Sequence, residues 1–335
     1  MSSKTIIDRQ YLKLFKNKVI LVTGGTGSFG RAFTENVLKY GSPKVIRIYS
    51  RDELKQLEMN NSLNRDDRLR FFIGDVRDGA RLQRACEGVD FLVHAAAMKQ
   101  IPACEYNPIE AIRTNIDGSI NVIDASLDNN IPKVIALSSD KAVHPVNLYG
   151  ATKLCAEKLF IHANYYSGSK RDTKFSVVRY GNVLASRGSV IPVFKEQIAR
   201  GEKLAITDKR MTRFWITLDQ AVQFVASSFK IMNGGEIFIP KIPSMRLVDL
   251  AKAFNYNKGF KITGARAGEK INEFLISQDE GVKTMDMGSR YVIDSLYRSN
   301  NIHGGKKVPE GFFYDSKTNK DWISVKEMEK IIKEA

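Results

Sequence analysis

Short, nearly continuous apolar runs alternate with amphipathic stretches through the first half of this chain. The first run leads into the glycine-rich stretch Lys18 to Gly30, and the pattern returns at Lys44 to Tyr49, Arg70 to Val76, Asp90 to Ala96, Lys133 to Ser138 and Lys174 to Tyr180. Between the runs lie helix-compatible stretches, among them Arg31 to Tyr40, Asn107 to Asn129 and Tyr149 to Ser167. Apolar strands separated by helices are what a parallel sheet covered on both faces produces. The pattern therefore predicts an α/β fold with a doubly wound parallel sheet of Rossmann type.

Beyond Gly181 the pattern changes to Gly-Asn-Val-Leu-Ala-Ser-Arg-Gly-Ser-Val-Ile-Pro, then a helix to Arg200, a loop from Asp208 to Thr217 and shorter elements. Residues 1–180 read as a dinucleotide-binding domain. Residues 181–335 read as mainly a smaller substrate lobe, with segments of chain returning to the Rossmann core. The polar, basic lead-in of residues 1–17 suggests a helical turn before the first strand, and Trp322 with amphipathic Ser324 to Ala335 suggests a packed terminal helix.

Composition narrows the function classes. With 335 residues, 43% of them hydrophobic, the chain buries one substantial core. No cationic segment precedes an apolar stretch at the N-terminus and no apolar run is long enough to span a bilayer, so a soluble, cytoplasmic protein without membrane insertion is expected. Cys86, Cys104 and Cys155 make neither a C-x-x-C pair nor an even disulfide set, and they read as structural thiols of a reducing compartment. His94, His144, His162 and His303 lack metal-ligand spacing, so no metal is expected. The net charge of +15 is spread among acids along the whole chain with no recognisable nucleic-acid module, and it reads as a basic surface that attracts anionic nucleotides.

The chemistry begins in the turn after the first strand. Gly24, Gly27 and Gly30, with Thr26, Ser28 and Phe29 between them, allow a tight turn, close approach of backbone N–H groups to a pyrophosphate and a helix N-terminus aimed at it. At the end of the second strand, a carboxylate would hold a ribose 2′-OH, whereas Ser50-Arg51 suits a 2′-phosphate and favours NADP, with Lys55 adding charge on the same face. Asp52 has two readings, a ribose contact or the cap of the next helix. Asp75 and Val76 are placed to border an adenine, and Ala95, Ala96 and Ala97 are small enough to pass beside a cofactor. Tyr149 and Lys153, spaced i and i+4, share one helix face. A tyrosine whose pKa is lowered by a lysine ammonium and an oxidised nicotinamide removes a hydroxyl proton as hydride leaves the same carbon.

Those segments together carry a resemblance. Thr-Gly-Gly-Thr-Gly-Ser-Phe-Gly, Tyr-Ser-Arg-Asp-Glu-Leu-Lys, Phe-Ile-Gly-Asp-Val-Arg-Asp, His-Ala-Ala-Ala-Met-Lys, Glu-Tyr-Asn-Pro, Asp-Lys-Ala, Tyr-Gly-Ala-Thr-Lys, Arg-Tyr-Gly-Asn-Val, Ser-Arg-Gly-Ser-Val-Ile-Pro and Met-Thr-Arg-Phe-Trp-Ile-Thr occur in order over roughly residues 15–280. The chain resembles extended short-chain dehydrogenases, and within them the inverting UDP-N-acetylglucosamine 4,6-dehydratases that start pseudaminic acid and related bacterial sugar pathways. The resemblance implies that Lys99 and Asn115 join the cofactor site. It implies further that Lys99, Lys141, Asn182, Val190, Arg213, Arg266 and Glu269 line a UDP-sugar site, and that the protein is a homo-oligomer. Ala267 departs from the proline common before Gly268-Glu269-Lys270, and Ser139 from a common threonine.

Asp140 and Lys141, after the fifth strand, distinguish a dehydratase from a simple 4-epimerase. Once C4 is oxidised, loss of water across C5 and C6 needs a base at C5 and an acid at O6. Lys141 serves as base if nearby Lys153 and a closed site depress its pKa, and Asp140 serves as acid if protonated. Two other readings stand beside this one, a UDP-sugar 4-epimerase and a non-catalytic NADP-binding protein on the same fold.

Overall fold

The computed structural model describes residues 8–166, 172–184, 186, 188–294 and 303–334. Residues 1–7 of the expected helical lead-in, Ser167, Ala185, Arg187 and Ala335, which the sequence pattern assigns to expected elements and segments, lie outside them. The expected parallel sheet is present, formed by β1 (Val19–Thr23), β2 (Val45–Ser50), β3 (Leu69–Ile73), β4 (Phe91–His94), β5 (Lys133–Ser139) and β6 (Lys174–Tyr180) in the order β3-β2-β1-β4-β5-β6. All are parallel, and Ile237–Pro240 continues the sheet in parallel beyond β6. Strands Arg290–Ile293, Thr284–Asp286 and Lys306–Lys307 then extend it antiparallel, completing ten strands. Ile20, Leu21, Val22, Leu92, Val93, Val134 and Ile135 are all fully buried in the middle of this sheet. Their burial explains why these strands lack polar alternation.

Helix α1 (Ser28–Tyr40) packs with helix Leu218–Ile231, and helices Gly79–Cys86, Gly118–Asp128 and Leu148–Tyr166 pack together as a second group. Right-handed crossovers put these two groups on opposite faces. The lead-in forms a short helical turn, Arg9–Phe15, whose Leu12 and Phe15 are buried. Phe15 meets Phe33, Phe91 and Phe229 edge-on at centroid distances of 5.5, 5.2 and 5.9 Å.

Two expected elements differ in detail. The helix expected over 107–129 is Pro108–Ile112 and Gly118–Asp128 joined by a wider π turn, Arg113–Asp117, which buries Thr114 and Asn115 against the next helix. The loop expected over 208–217 contains a strand, Thr212–Ile216, buried at every position. It pairs with Ser244–Arg246 and Asn182–Val183, because its β-branched and aromatic residues fit a sheet better than a loop. Leu184, Ile191, Phe194, Leu204, Ile206, Trp215, Met245, Leu250 and Met328 form the core of this smaller lobe, Met328 coming from the terminal helix Val325–Glu334.

Because Phe15 is enclosed by three other rings, truncation leaves a cavity that the neighbouring strands cannot collapse into. Phe15→Ala should cost about 3–5 kcal/mol of stability, read from chemical denaturation monitored by circular dichroism; a loss under about 1 kcal/mol would show that the lead-in does not belong to the core.

Candidate active site

Parallel strands deliver their following loops to one edge of the sheet, and here those loops open on a cavity of about 770 Å³. Gly24, Thr26, Gly27, Ser28, Phe29 and Gly30 line one end. Gly24 sits at φ +64°, and a Cβ there would lie 2.8 Å from the Ala96 backbone after β4. A side chain at that position would fill the space between the two loops. Gly27 caps α1 without a side-chain bond, which leaves the helix entrance to a ligand's anion. Ser50, Arg51, Asp52, Lys55, Asp75, Val76 and Ala95 border the same end.

At the end of β2, Asp52 is the N-cap of helix Glu53–Ser62, accepting from the Lys55 amide at 3.0 Å and pairing with the Lys55 ammonium. Arg51 is 59% exposed and its guanidinium lies 3.7 Å from Asp75. Burial disfavours charge on Asp75, but hydrogen bonds from Arg77 outweigh it and keep the group a carboxylate. Asn115 stands behind the cavity wall: its amide bonds the Met98 carbonyl at 2.9 Å and the Thr152 hydroxyl at 3.0 Å, and Met98 N–H donates to it at 2.8 Å. It fixes the loop that carries Lys99, a cavity-lining residue. Three buried hydroxyls on the cavity wall, Thr114 Oγ1, Ser138 Oγ and Ser189 Oγ, have no hydrogen-bond partner among the described residues. Together with the glycine turn, they fit an elongated polar ligand such as a dinucleotide.

Midway along the cavity, Tyr149, Lys153, Lys141 and Ser139 come together. Gly150 makes this possible, since a Cβ there would collide with the Lys141 carbonyl oxygen and push the helix off the turn Asp140–Ala142. Lys153 donates to the Leu137 carbonyl at 2.6 Å, and burial lowers its pKa to about 8 although Glu157, one turn on, opposes this. Glu157 is itself held by the fully buried Arg179 at 2.5 Å, which also binds Glu280 at 2.9 Å. His94 is neutral, its pKa lowered to about 3 by burial and then by Lys153, and it bonds Thr23 at 2.8 Å.

Two electrostatic expectations are corrected here. Tyr149 is pushed up to about 12 by burial, against the opposing influence of Lys141 and a hydrogen bond with Ser139. The phenol is buried first and activated only by added positive charge, and the cation that acts on it most is Lys141. Lys141 itself is raised rather than depressed: burial disfavours its charge, but Asp140 and then Glu273 outweigh burial and hold it as an ammonium. Its Nζ lies 3.0 Å from Asp140 Oδ1 and 3.5 Å from Glu273 Oε1. Asp140 is fully buried and does not contribute to the cavity lining; burial raises its pKa, and its Oδ2 has no hydrogen-bond partner.

Residues from the second half of the chain line the other end. Asn182, Val190, Arg213, Arg266 and Glu269 all line the cavity. Arg213 is buried, with its guanidinium bonding the carbonyls of Thr212, Ile271 and Lys270 at 2.7, 3.0 and 3.0 Å, so it anchors the loop beside the site. Asn147 donates to the Gly268 carbonyl at 2.8 Å and docks that loop on the Rossmann half. Lys270 and Glu273, which the sequence reading passed over, belong to this end of the lining. An acid three residues after a lysine in an otherwise basic loop is the faint signal that marks them.

A family model described as polysaccharide biosynthesis protein matches residues 20–295. Over 330 residues the chain is 54% identical to the UDP-N-acetylglucosamine 4,6-dehydratase (inverting) of Campylobacter jejuni subsp. jejuni serotype O:23/36 (strain 81-176), covering 95% of this chain and 98% of that one. It is 45% identical to a UDP-glucose 4-epimerase of Rickettsia rickettsii (strain Sheila Smith), covering 88% and 89%. Among solved structures, Pen from Bacillus thuringiensis superposes with a TM-score of 0.88 at 39% identity, over 96% of this chain and 99% of that one. The dTDP-glucose 4,6-dehydratase DesIV from Streptomyces venezuelae, solved with NAD and TYD bound, shares the fold with a TM-score of 0.68 at 21% identity, over 76% and 86%. The chain belongs to this polysaccharide biosynthesis family, of the extended short-chain dehydrogenase type.

Any side chain at residue 24 has to adopt a left-handed backbone and displace Ala96. Gly24→Ala should therefore weaken binding of a nicotinamide dinucleotide about tenfold or more by calorimetric titration. Unchanged affinity would place the cofactor elsewhere.

Proposed function

We propose that this chain is a configuration-inverting UDP-N-acetylglucosamine 4,6-dehydratase, a hydro-lyase that uses NADP and forms UDP-2-acetamido-2,6-dideoxy-β-L-arabino-hexos-4-ulose for bacterial surface sugars. The observation that carries the proposal is Lys141, paired at 3.0 Å with the buried Asp140 behind it, beside Tyr149 and Lys153 in the lining of a cavity that reaches from the glycine turn to Glu269. An oxidoreductase dyad alone suits an epimerase; the acid–base pair adds what elimination requires. The full-length similarity to the Campylobacter dehydratase supports the same substrate.

When bound, the nicotinamide supplies hydride chemistry, taking hydride from C4 of the sugar and returning it to C6. Tyr149 accepts the C4 hydroxyl proton, its phenolate favoured by Lys141 and by Lys153 on the same helix face. The C4 ketone acidifies the C5 proton, which Lys141 accepts once its amine is free. Asp140, whose pKa burial raises, is the acid for the departing O6: once it carries a proton, Ser139, whose hydroxyl lines the cavity and in the structure donates to Asp140 Oδ1 at 2.8 Å, turns to O6 and passes a proton on. Return of a proton to C5 from the opposite face inverts that centre.

Exposed Arg51 at the end of β2, with Asp52 occupied as a helix cap, supports NADP over NAD. Three free cysteines, Cys86 and Cys104 buried and Cys155 exposed, support a cytoplasmic setting. Exposed Tyr106, Ile109, Ile112 and Ile120 on consecutive helical segments support a homo-oligomer. A 4-epimerase is the second reading, favoured by the Rickettsia relatives.

Incubation with UDP-N-acetylglucosamine should give a product lighter by one water, without stoichiometric reduced cofactor, and NMR of the fresh product should show inversion at C5. Lys141→Met should retain cofactor while losing both dehydration and solvent deuterium exchange at C5. Because Lys141 begins as an ammonium with a raised pKa, its base form appears only as pH rises, so wild-type exchange should climb with pH through the neutral and alkaline range. A product of unchanged mass epimerised at C4 would instead establish the second reading.

A charge-assisted hydrogen bond from Arg51 to a 2′-phosphate is worth about 1.5–3 kcal/mol. Arg51→Ala should thus weaken NADP⁺ on the order of tenfold to a hundredfold and leave NAD⁺ nearly unaffected in binding titrations; equal losses would remove Arg51 from cofactor choice.

A further inference from the structure

Lys141 is held from two directions, and the second holder comes from a part of the chain more than a hundred residues away. Its ammonium has three N–H donors. Asp140 Oδ1 accepts one at 3.0 Å, Glu273 Oε1 stands as an ion-pair partner at 3.5 Å, and Lys141 also lines the cavity. Glu273 is in turn built in place. Its side chain is 3% exposed, its backbone N–H donates to Ser316 Oγ at 2.9 Å, and its carboxylate faces Lys270 at 3.3 Å and Arg213 at 3.8 Å. Lys270 also reaches back to the Val143 carbonyl at 2.7 Å, so the same cluster pins the turn that carries Asp140 and Lys141.

We infer that Glu273 is the positioning residue for Lys141: it orients the amine toward the sugar and supplies the anion against which Lys141 holds its proton. This rests on the dehydratase reading only for the identity of the proton that Lys141 moves. The charged and titratable groups facing Lys141 are Asp140 on its own turn, Glu273, Arg213 and Lys270 from the second half, and Lys99 and Tyr149 across the cavity. Of the two carboxyls that touch it, Asp140 is fully enclosed and is driven toward its neutral form, while Lys141, Arg213 and Lys270 outweigh burial and keep Glu273 ionised. Glu273 is thus a second anion beside Asp140, brought from the other half of the chain, and its removal leaves Lys141 near Arg213, Lys270 and Lys99 with Asp140 as the one carboxyl still facing it among the described residues.

The test compares wild type, Glu273→Gln and Glu273→Asp as holoenzymes with UDP-N-acetylglucosamine. The first readout is solvent deuterium exchange at C5 against pH; the second is NMR titration of isotopically labelled lysine, with Lys141→Met assigning the Lys141 signal. In Glu273→Gln the rising limb of the exchange profile and the Lys141 titration should both move down by about one pH unit or more, because the anion that favours the ammonium is gone. Exchange at the plateau should fall on the order of tenfold to a hundredfold as the amine loses its orientation. Glu273→Asp keeps the charge at shorter reach, so its limb should stay with wild type while its plateau rate falls part of the way. A Gln variant that loses rate equally at every pH, with Lys141 titrating where it did, would overturn the inference and leave Glu273 a structural residue. So would a wild-type Lys141 that titrates at or below the ordinary lysine range, a result obtainable even if the Gln variant does not fold. If wild type shows no C5 exchange at all, the dehydratase reading fails, and the Lys141 titration still decides the role of Glu273 by itself.

Discussion

A parallel sheet buried on both faces can be built only if every connection crosses over one of those faces, and most of this molecule follows from that constraint. The strands β1, β4 and β5 are buried along their length except at Val19, Lys133 and Ser139 at their ends, so their stability comes from apolar burial and from ladders closed on both edges. The helices that bring the chain back must cover the faces, and the strands must all end at one side. Functional residues collect there without any of them needing to be near another in sequence. Gly24 meets Ala96 and Ser139 meets Tyr149 because their strands share a direction, and Asn147 bonds Gly268, from a loop outside that sheet, at the same cavity.

The second constraint is electrostatic. Ionisable groups at the buried centre of the site survive only where each is offset by another, since an isolated charge moved out of water costs several kcal/mol. Lys141 faces Asp140 and Glu273; Glu273 faces Lys141, Lys270 and Arg213. A few ångströms behind the helix that bears Tyr149, Arg179 is enclosed by Glu157 and Glu280 in the same manner. Each cluster takes one partner from the first half of the chain and another from the second, so the two lobes are joined by buried charge as well as by apolar contact. Such fixed charges need little reorganisation when a substrate's own charge develops, which is the condition for electrostatic catalysis.

The dynamic consequence is confined. Arg213 and Asn147 tie the 266–271 loop to both lobes through backbone carbonyls, whereas Arg266 and Ala267 on its outer side are exposed. The bonds made by Asn147 to Gly268 and by Arg213 to Lys270 hold the loop just after Ala267 from its inner side.

Much of this was already determined by the sequence alone. The apolar runs specified the parallel sheet because burial on both faces leaves a composition that no other strand arrangement explains, and the glycine turn, Arg51, and the Tyr149–Lys153 spacing are local features whose geometry a few residues dictate. Even Asp52 had the signature of a helix cap. What depended on the fold was everything decided by neighbours distant in the chain. Lys141 was expected with a depressed pKa from its proximity to Lys153, but tertiary structure sets Asp140 and Glu273 against it and raises that pKa. Tyr149 was expected to be activated by its helix partner, but enclosure raises its pKa and Lys141 is the stronger influence. Asn115 turned out to support a loop from behind, and Glu273 carried almost no local signal. Strand and turn formation depends on residues close in sequence, whereas desolvation and Coulomb interaction depend on distance through space, and only the folded chain determines those distances.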